Sequence, residues 1–307
     1  MASWNELTTE YQALPAEKKN TYLPERIQTA LSAISQIRGG TNVLLYGSAF
    51  LQKPAVAATF TQIMPEDING FMSTMYGMNW DAGLTLVLHT PGGVTTAAQT
   101  IVSYLLSKFK FIEVIVPTFA MSAGTMISLA SQKIVMGRQS QLGPIDPQMP
   151  VNGKYVSAQS ILEQFKTAHD EILANPVAAH VWAPILQTIG PALLHEAKNS
   201  TEYGKTMVKE WMTQRMFAGQ ADADEKAAAA ADHFGTASKH KDHGRRIDRD
   251  EASQYVVTEQ LEDDQTLQEH VLTAYHLMTI VFEQSMATKI MATSHNRLWI
   301  KNVNAMG

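Results

Sequence analysis

Apolar residues recur at helical spacing near the beginning of the chain. In the stretch PERIQTALSAISQIRGG they include Ile27, Leu31, Ile34 and Ile37, which would fall on one face of a helix. Two glycines close the stretch, and glycine commonly terminates helices. The pattern therefore predicts a helix that ends at these glycines and packs against a sheet.

Short apolar runs then alternate with helical segments. The runs TNVLLYGS, GLTLVLHT, FIEVIVPT (111–118) and KIVM (133–136) are typical of strands buried on both faces. Helices are predicted between them over PEDINGFMSTMYGM, over residues 95–108 and over MSAGTMISLAS. This alternation predicts an α/β fold with a mainly parallel sheet and right-handed crossovers.

Beyond residue 155 the apolar pattern becomes that of long helices, over about 157–233 and 262–293. The polar segment TASKHKDHGRRIDRDEA separates them, and neither a fixed-period repeat nor a low-complexity linker is present in the sequence. We therefore expect a single domain over 1–307, with its core over about 40–155 and a mostly helical extension over about 156–307.

Composition narrows the function. The 307 residues are 45% hydrophobic with a formal net charge of -5, which suits a globular core and offers no basic surface for nucleic acid. Cysteine is absent from the sequence, so any covalent catalysis must use oxygen or nitrogen. The N-terminal stretch lacks the apolar core of a secretory signal and no run is long enough for a transmembrane segment, which predicts a cytoplasmic location.

Two successive predicted strands are each followed by small residues that could take part in catalysis. Gly92 and Gly93 follow one strand, and Ser122 lies at the start of the helix that follows the next. A glycine pair lets the backbone turn sharply and present N–H groups, while a helix start favours developing negative charge. Alone, the glycines indicate a tight turn and Ser122 a helix cap. Together they indicate an acyl-transfer site.

The motifs HTPGG, AMSAGT and GPIDPQ, in this order and spacing, resemble the serine dehydrogenase proteinase family, within the superfamily of the Clp protease proteolytic subunit and signal peptide peptidase A. The resemblance is close over 84–149, and HGRRIDRDEA (243–252) is similar to a later segment of the family. It implies a Clp/crotonase-like spiral of β-β-α units with helical N- and C-terminal extensions. It also implies a homo-oligomer built from trimers or rings. No Gly-x-Gly-x-x-Gly motif for a dinucleotide occurs, and no cofactor is expected.

By this resemblance, Ser122 is the nucleophile. The backbone N–H groups of Gly93 and Ala123, with Gly92 beside them, form the oxyanion hole. The general base does not carry over, because Asp146 stands where the Clp subunit has a histidine.

The lysine of signal peptide peptidase relatives does not carry over either. Its distance from the serine falls near residues 159–163, where no lysine occurs, although Lys154 and Lys166 flank that stretch as alternative bases. Solvated surface lysines are the simpler interpretation of both.

A carboxylate activates serine best by orienting an imidazole, so a histidine is sought. His89 lies just before the glycine pair, and a set of Ser122, His89 and Asp146 is conceivable. The alternatives are that His89 supports the loop through a hydrogen bond and that Asp146 caps a turn or forms a salt bridge.

The remaining histidines give no metal site. His233, His240 and His243 lack zinc-motif spacing, so no metal is expected. The turn that begins at His243 is interpreted as an interface or partner-facing loop, with a role at the catalytic cleft left open.

The sequence thus predicts a cytoplasmic serine endopeptidase that hydrolyses peptide bonds through an acyl-enzyme on Ser122, with a peptide or protein as substrate. One alternative is a catalytically inactive scaffold or interaction protein with the same fold. Another is a crotonase-type enzyme for acyl-thioesters, in which the same two donors would stabilise an enolate but no serine is needed.

Overall fold

The computed structural model describes residues 3–187 and 192–303, and the chain divides into two compact units. Unit 1 comprises the chain up to Leu142 together with the part from Arg246 onward, and unit 2 comprises Gly143–Arg245. Unit 1 thus includes C-terminal residues that the sequence pattern assigned to the helical extension. The single-domain organisation stays a prediction.

The strands in chain order are β1 (Asn42–Ser48), β2 (Leu84–His89), β3 (Ile112–Val116), β4 (Phe119–Ala120), β5 (Lys133–Met136), β6 (Gln141–Leu142), β7 (Gln148–Val151), β8 (Lys154–Ser157), β9 (Thr258–Gln260), β10 (Ala287–Thr293) and β11 (Leu298–Asn302). The helices are α1 (Trp4–Gln12), α2 (Ala16–Ile37), α3 (Asp67–Met75), α4 (Thr95–Lys108), α5 (Ala123–Leu129), α6 (Ala158–Ala174), α7 (Ala179–Gln187), α8 (Leu193–Gln214), α9 (Ala223–Gly235), α10 (Ala237–His240), α11 (Arg249–Ala252) and α12 (Gln265–Gln284). None of the helices in the described ranges is long and apolar enough to cross a membrane.

The centre of unit 1 is a seven-stranded sheet with the order β11-β10-β1-β2-β3-β5-β9. The strands from β1 to β9 in this order run parallel, whereas β10 and β11 pair antiparallel at one edge. The predicted α/β fold with a mainly parallel sheet is confirmed.

Helices cover both faces of this sheet. On one face, α2 and α12 pack against residues such as Val43, Leu45 and Val87, all of them fully buried. Because side chains alternate along a strand, Leu86 points to the opposite face, where it meets residues of α4 and α5. Burial on both faces explains why these strands are continuous apolar runs in the sequence.

One predicted stretch is confirmed only in part. The mostly helical region expected over about 262–293 contains α12 up to Gln284, whereas Ala287–Thr293 forms the fully buried strand β10. This strand pairs with β1, which is far away in sequence. Its β-branched residues pack well on the pleated surface of a sheet. The tertiary pairing decides the structure here, and a local pattern does not contain it.

A partly buried ion cluster lies at the amino ends of the strands. Arg38 donates to Glu113 of β3 at 2.8 Å and to Glu259 of β9 at 2.7 Å, and Lys133 of β5 also contacts Glu259. The Glu113 carboxylate is only 1% exposed and also accepts from the hydroxyl of Thr85 at 2.7 Å. The cluster joins β2, β3, β5 and β9 near their amino ends, opposite to the loops that follow the strands.

Unit 2 begins with a hairpin and continues as helices. Val151 pairs with Lys154 across a two-residue turn of Asn152 and Gly153, both with positive φ, as Asn-Gly hairpin turns require. Its small apolar core joins this hairpin to α6 and α8 and is centred on Ala158, Ile161 and Ala197. The helical character predicted for this region is confirmed.

Candidate active site

Two loops meet at the carboxyl ends of neighbouring strands in unit 1. The chain continues past β2 to Thr90, whose N–H donates to the main-chain oxygen of Phe119 at 2.9 Å. The oxygen of Thr90 accepts from the N–H of Met121 at 3.1 Å. These bonds hold the loop of residues 91–93 beside the loop that leads into α5.

Gly92 makes this close approach possible. Its φ is +99°, a conformation that side-chain-bearing residues rarely adopt. A β-carbon there would also lie 2.7 Å from the main-chain oxygen of Met121 and 3.1 Å from the nitrogen of Ala123. Only glycine fits, so this part of the motif is required by the contact between the two loops.

Ser122 occupies a strained turn at the start of α5. Its backbone has φ +50° and ψ -115°, outside the regions that L-residues favour. The serine is at the N-cap position, yet its side chain forms no capping hydrogen bond, and the residue is partly exposed. The capping interpretation therefore does not explain this serine. Strain of this kind concentrates at functional sites, and in α/β-hydrolases a strained turn from strand to helix exposes the nucleophilic serine.

Gly93 is held from one side by Ile63. The N–H of Ile63 donates to the oxygen of Gly92 at 2.8 Å, and the N–H of Val94 donates to the oxygen of Ile63 at 2.9 Å. Because successive N–H groups of an extended segment point to opposite sides, the N–H of Gly93 points away from Ile63. A β-carbon at position 93 would lie 2.3 Å from the oxygen of Ile63, so the glycine is needed for this contact as well.

Two backbone donors at these loops are free. Within the described residues, the N–H groups of Gly93 and Ala123 have no hydrogen-bond partner. Ala123 is the first residue of α5, where the helix dipole favours negative charge. Two such donors beside a serine hydroxyl supply what a tetrahedral oxyanion requires.

His89 lies in an aromatic environment at the end of β2. It is 0% exposed and packs against Phe50, Phe119 and Tyr275 at ring-centroid distances of 5.0, 6.0 and 5.1 Å. Its Nδ1 lies 2.9 Å from the hydroxyl of Thr118, and its Nε2 has no hydrogen-bond partner among the described residues. Burial lowers the pKa of His89 to about 3. Neither ring nitrogen bonds Ser122, and the assignment of His89 as base stays a prediction.

Asp146 of unit 2 has an imidazole partner that is not His89. Its carboxylate is 3% exposed, and Oδ1 lies 2.8 Å from Nδ1 of His243, whose side chain is 29% exposed. Oδ2 accepts from the amide of Gln148 at 2.7 Å. A carboxylate bound to Nδ1 fixes the tautomer in which Nε2 is the free acceptor, as in a general base. In the described part of the chain, Nε2 of His243 has no partner.

The pair opens onto a cavity within unit 2 of about 470 Å³. Its lining residues include Asp146, Gln148, Tyr155 and Ser160, together with residues 237–238 and 241–243. The imidazole of His243 is therefore accessible from this cavity, whereas the carboxylate behind it is shielded.

The two candidate lysines lie on the surface of unit 2. Lys154 is exposed on β8. Lys166 is 77% exposed and donates to Asp170 at 2.7 Å, and this bond raises its pKa. A lysine base needs a lowered pKa, so the surroundings of Lys166 act in the opposite direction. Both lysine assignments stay predictions.

Of the other histidines considered as ligands, His240 bonds the main-chain oxygen of His233 at 2.6 Å through Nε2. Its Nδ1 accepts from Arg245 at 3.0 Å. Both nitrogens are thus occupied within unit 2.

Sequence reasoning did not find the contact of His243 with Asp146 or the bonds of Ile63 to the glycine loop. The similarity of HGRRIDRDEA to a family segment was the one signal for His243, because 97 residues separate it from Asp146. Ile63 acts through its backbone, which leaves no side-chain signature. By contrast, the predicted neighbours Gly92, Gly93, Ser122 and Ala123 are together in unit 1.

A family profile described as ClpP-like SDH-type serine proteinase matches residues 56–181. This range includes both loops of unit 1, with the glycine pair and Ser122, and also Asp146. The resemblance of these residues to the serine dehydrogenase proteinase family is confirmed.

Two uncharacterized proteins of Methanocaldococcus jannaschii are each 40% identical to the chain, over 84 and 85 residues. The matches cover 27% and 28% of this chain and 29% and 28% of those proteins. The chain thus spans less than a third of the length of these curated relatives.

Solved structures of the 1510-N membrane-bound stomatin-specific protease are also similar. A serine-to-alanine mutant shares 19% identity and a TM-score of 0.39, with 65% of this chain and 74% of that chain covered. A lysine-to-alanine mutant in complex with a substrate peptide shares 18% identity and a TM-score of 0.41, with 78% and 83% covered.

Proposed function

We propose that this chain, part of which matches a family of serine proteinases, is itself a serine endopeptidase. The observation that carries the proposal is the strained, partly exposed Ser122 beside the unpartnered N–H groups of Gly93 and Ala123. Among the described residues, the Ser122 side chain forms no capping hydrogen bond that would require a serine in this conformation, whereas a nucleophile beside an oxyanion hole does require one.

In the proposed reaction, Oγ of Ser122 attacks the carbonyl carbon of a peptide bond and loses its proton to a base. The oxyanion that forms accepts hydrogen bonds from Gly93 and Ala123, and each such donor contributes on the order of 100- to 1000-fold in rate. The base then protonates the leaving amine, which leaves an acyl-enzyme. Water hydrolyses this ester by the same steps in reverse.

For the base, we propose an imidazole whose Nδ1 is held by a carboxylate, and within unit 2 the pair of His243 and Asp146 has this chemistry. The support is chemical: Nδ1 is bound by a shielded carboxylate, and Nε2 is free to accept a proton. His89, Lys154 and Lys166 are the alternative bases, and the same measurements on their variants test them.

The proposed substrate is a peptide or protein, in keeping with the matched family. A homo-oligomer and a cytoplasmic location complete the proposal, and both rest on the sequence and its resemblance alone.

The test is intact-mass analysis after incubation with a fluorophosphonate probe, which reacts with activated serine hydroxyls. We expect one adduct per chain at Ser122 and none in Ser122→Ala. Circular dichroism of that variant serves as a folding control. A folded wild-type chain without any adduct would contradict the proposal and favour the inactive scaffold. An adduct without peptide turnover, but with turnover of acyl-thioesters, would favour the crotonase-type alternative.

A further inference from the structure

A fully buried charge cluster lies beneath the loops of unit 1. Asp67, the first residue of α3, and Lys289 of β10 are both 0% exposed, and Nζ lies 2.8 Å from each carboxylate oxygen. The hydroxyl of Tyr46 of β1 donates to Oδ2 of Asp67 at 2.9 Å. A pair this deeply buried is a weak source of stability, because desolvation offsets its attraction. Its presence calls for another explanation.

The third donor to Asp67 is a backbone group. The N–H of Met64 donates to Oδ2 of Asp67 at 2.9 Å. This N–H belongs to the peptide unit between Ile63 and Met64. The oxygen of the same unit accepts from the N–H of Val94 at 2.9 Å. A peptide unit is planar, so an anchor on its N–H also fixes the direction of its oxygen.

We infer that Asp67, paired with Lys289, is a positioning residue for the oxyanion hole. The connection runs from the carboxylate through the Ile63–Met64 peptide unit to Val94, next to Gly93. On the other side of Gly93, Ile63 also bonds the oxygen of Gly92. The donor N–H of Gly93 is therefore held between two bonds to one residue, whose orientation is set by a buried carboxylate. The inference rests on the proposed function.

The test compares two double variants without buried charge. Asp67→Leu with Lys289→Met removes the acceptor for the Met64 N–H, whereas Asp67→Asn with Lys289→Met retains an acceptor oxygen. Since no charge is left unpaired in either, both are expected to fold. Glu113→Gln is the control for the loss of a buried charge that is paired elsewhere in unit 1. Glu113 lies near the amino end of β3, away from the loops that follow the strands.

Two quantities are measured on folded protein: the rate of fluorophosphonate labelling and the hydrogen exchange of the Val94 amide, read by NMR on 15N-valine-labelled chain. We expect the Leu/Met variant to label about 100-fold more slowly, as misplaced catalytic groups do, and its Val94 amide to exchange faster. The Asn/Met variant and Glu113→Gln should stay close to the wild-type values of both.

Equal labelling and equal exchange in the two double variants would overturn the positioning role. If the wild-type chain itself is not labelled, the peptidase proposal fails separately. The exchange of Val94 then decides the structural link on its own: faster exchange in Leu/Met than in Asn/Met supports it, and equal exchange overturns it.

Discussion

Gly92 and Ser122 are in direct contact across the two loops of unit 1. A β-carbon at position 92 would lie 2.6 Å from the β-carbon of Ser122, closer than real β-carbons approach other atoms. The position of the serine therefore depends on the absence of a side chain at residue 92, in a loop that follows a different strand.

Gly92→Ala should abolish labelling of Ser122, because the new methyl group must displace the serine or the oxygen of Met121. Gly40→Ala is the matched control: Gly40 has φ +84° and open space around its β-carbon. Both changes impose backbone strain of about 1–2 kcal/mol. Thermal unfolding and labelling rates are measured together. Both variants should be destabilised, Gly92→Ala more than Gly40→Ala because of the added steric clash, and labelling should be lost only in Gly92→Ala. Equal labelling in both variants would contradict the contact.

The strain at Ser122 predicts a gain in stability when the side chain is removed. Ser122→Gly should be more stable than Ser122→Ala by about 1 kcal/mol, because glycine adopts positive φ without a steric cost. Both variants lack the hydroxyl and should not be labelled, so stability differs while activity does not. Urea unfolding measures the difference. If Ser122→Ala is the more stable of the two, residue 122 does not adopt the strained positive φ.

Substitutions in the His243–Asp146 pair should lower the rate of peptide turnover while the protein stays folded. Asp146→Asn should slow peptide turnover on the order of 10,000-fold, since the amide favours the wrong tautomer of the imidazole. His243→Gln should lose at least as much. Lys166→Met serves as the surface control and should be neutral, because its partner Asp170 is also exposed. Active-site-titrated turnover checks this, and a large loss in Lys166→Met with normal rates in His243→Gln would favour a lysine base.

His89 predicts a pH-dependent stability. Its pKa in the folded state, about 3, is below the unfolded value near 6.5, so acid protonates the unfolded chain first. Its contribution to stability is complete above about pH 6.5 and declines as the pH falls toward 3.

When the pH is lowered from 6.5 to 5, the free energy of unfolding should fall by about 2 kcal/mol more in the wild-type chain than in His89→Phe. Phenylalanine suits the aromatic neighbours of this position. Urea unfolding at both pH values gives the difference between the two proteins, which cancels the contribution of other groups. Parallel pH dependences would show that His89 titrates normally.

The sequence predicts elements well where local pattern and tertiary packing agree. The helix over residues 95–108 and the strand over 133–136 coincide with α4 and β5. It fails at β10, whose partner β1 is more than 200 residues away. Pairing between such distant segments leaves no periodic trace in either one.

The candidate site divides in the same way. That Ser122 and the glycine pair are neighbours follows from the sequence, because both lie in turns at the ends of adjacent strands. Proximity in sequence to the glycines groups Asp146 with His89, whereas the imidazole that contacts Asp146 in the structure is that of His243, 97 residues away. The assignment of His89 as base stays a prediction. The role of Asp67 acts through a peptide unit and has no motif.

The proposed oxyanion donors are backbone N–H groups, and that has an evolutionary consequence. A point mutation deletes a side chain but leaves an N–H group in place, except for a change to proline. A descendant that lost the hydroxyl of Ser122 would keep both donors and with them a pocket for an anionic intermediate. Evolution could thus remove the hydrolytic activity and add other carbonyl chemistry at the same loops. The strands that carry these loops would not need to change.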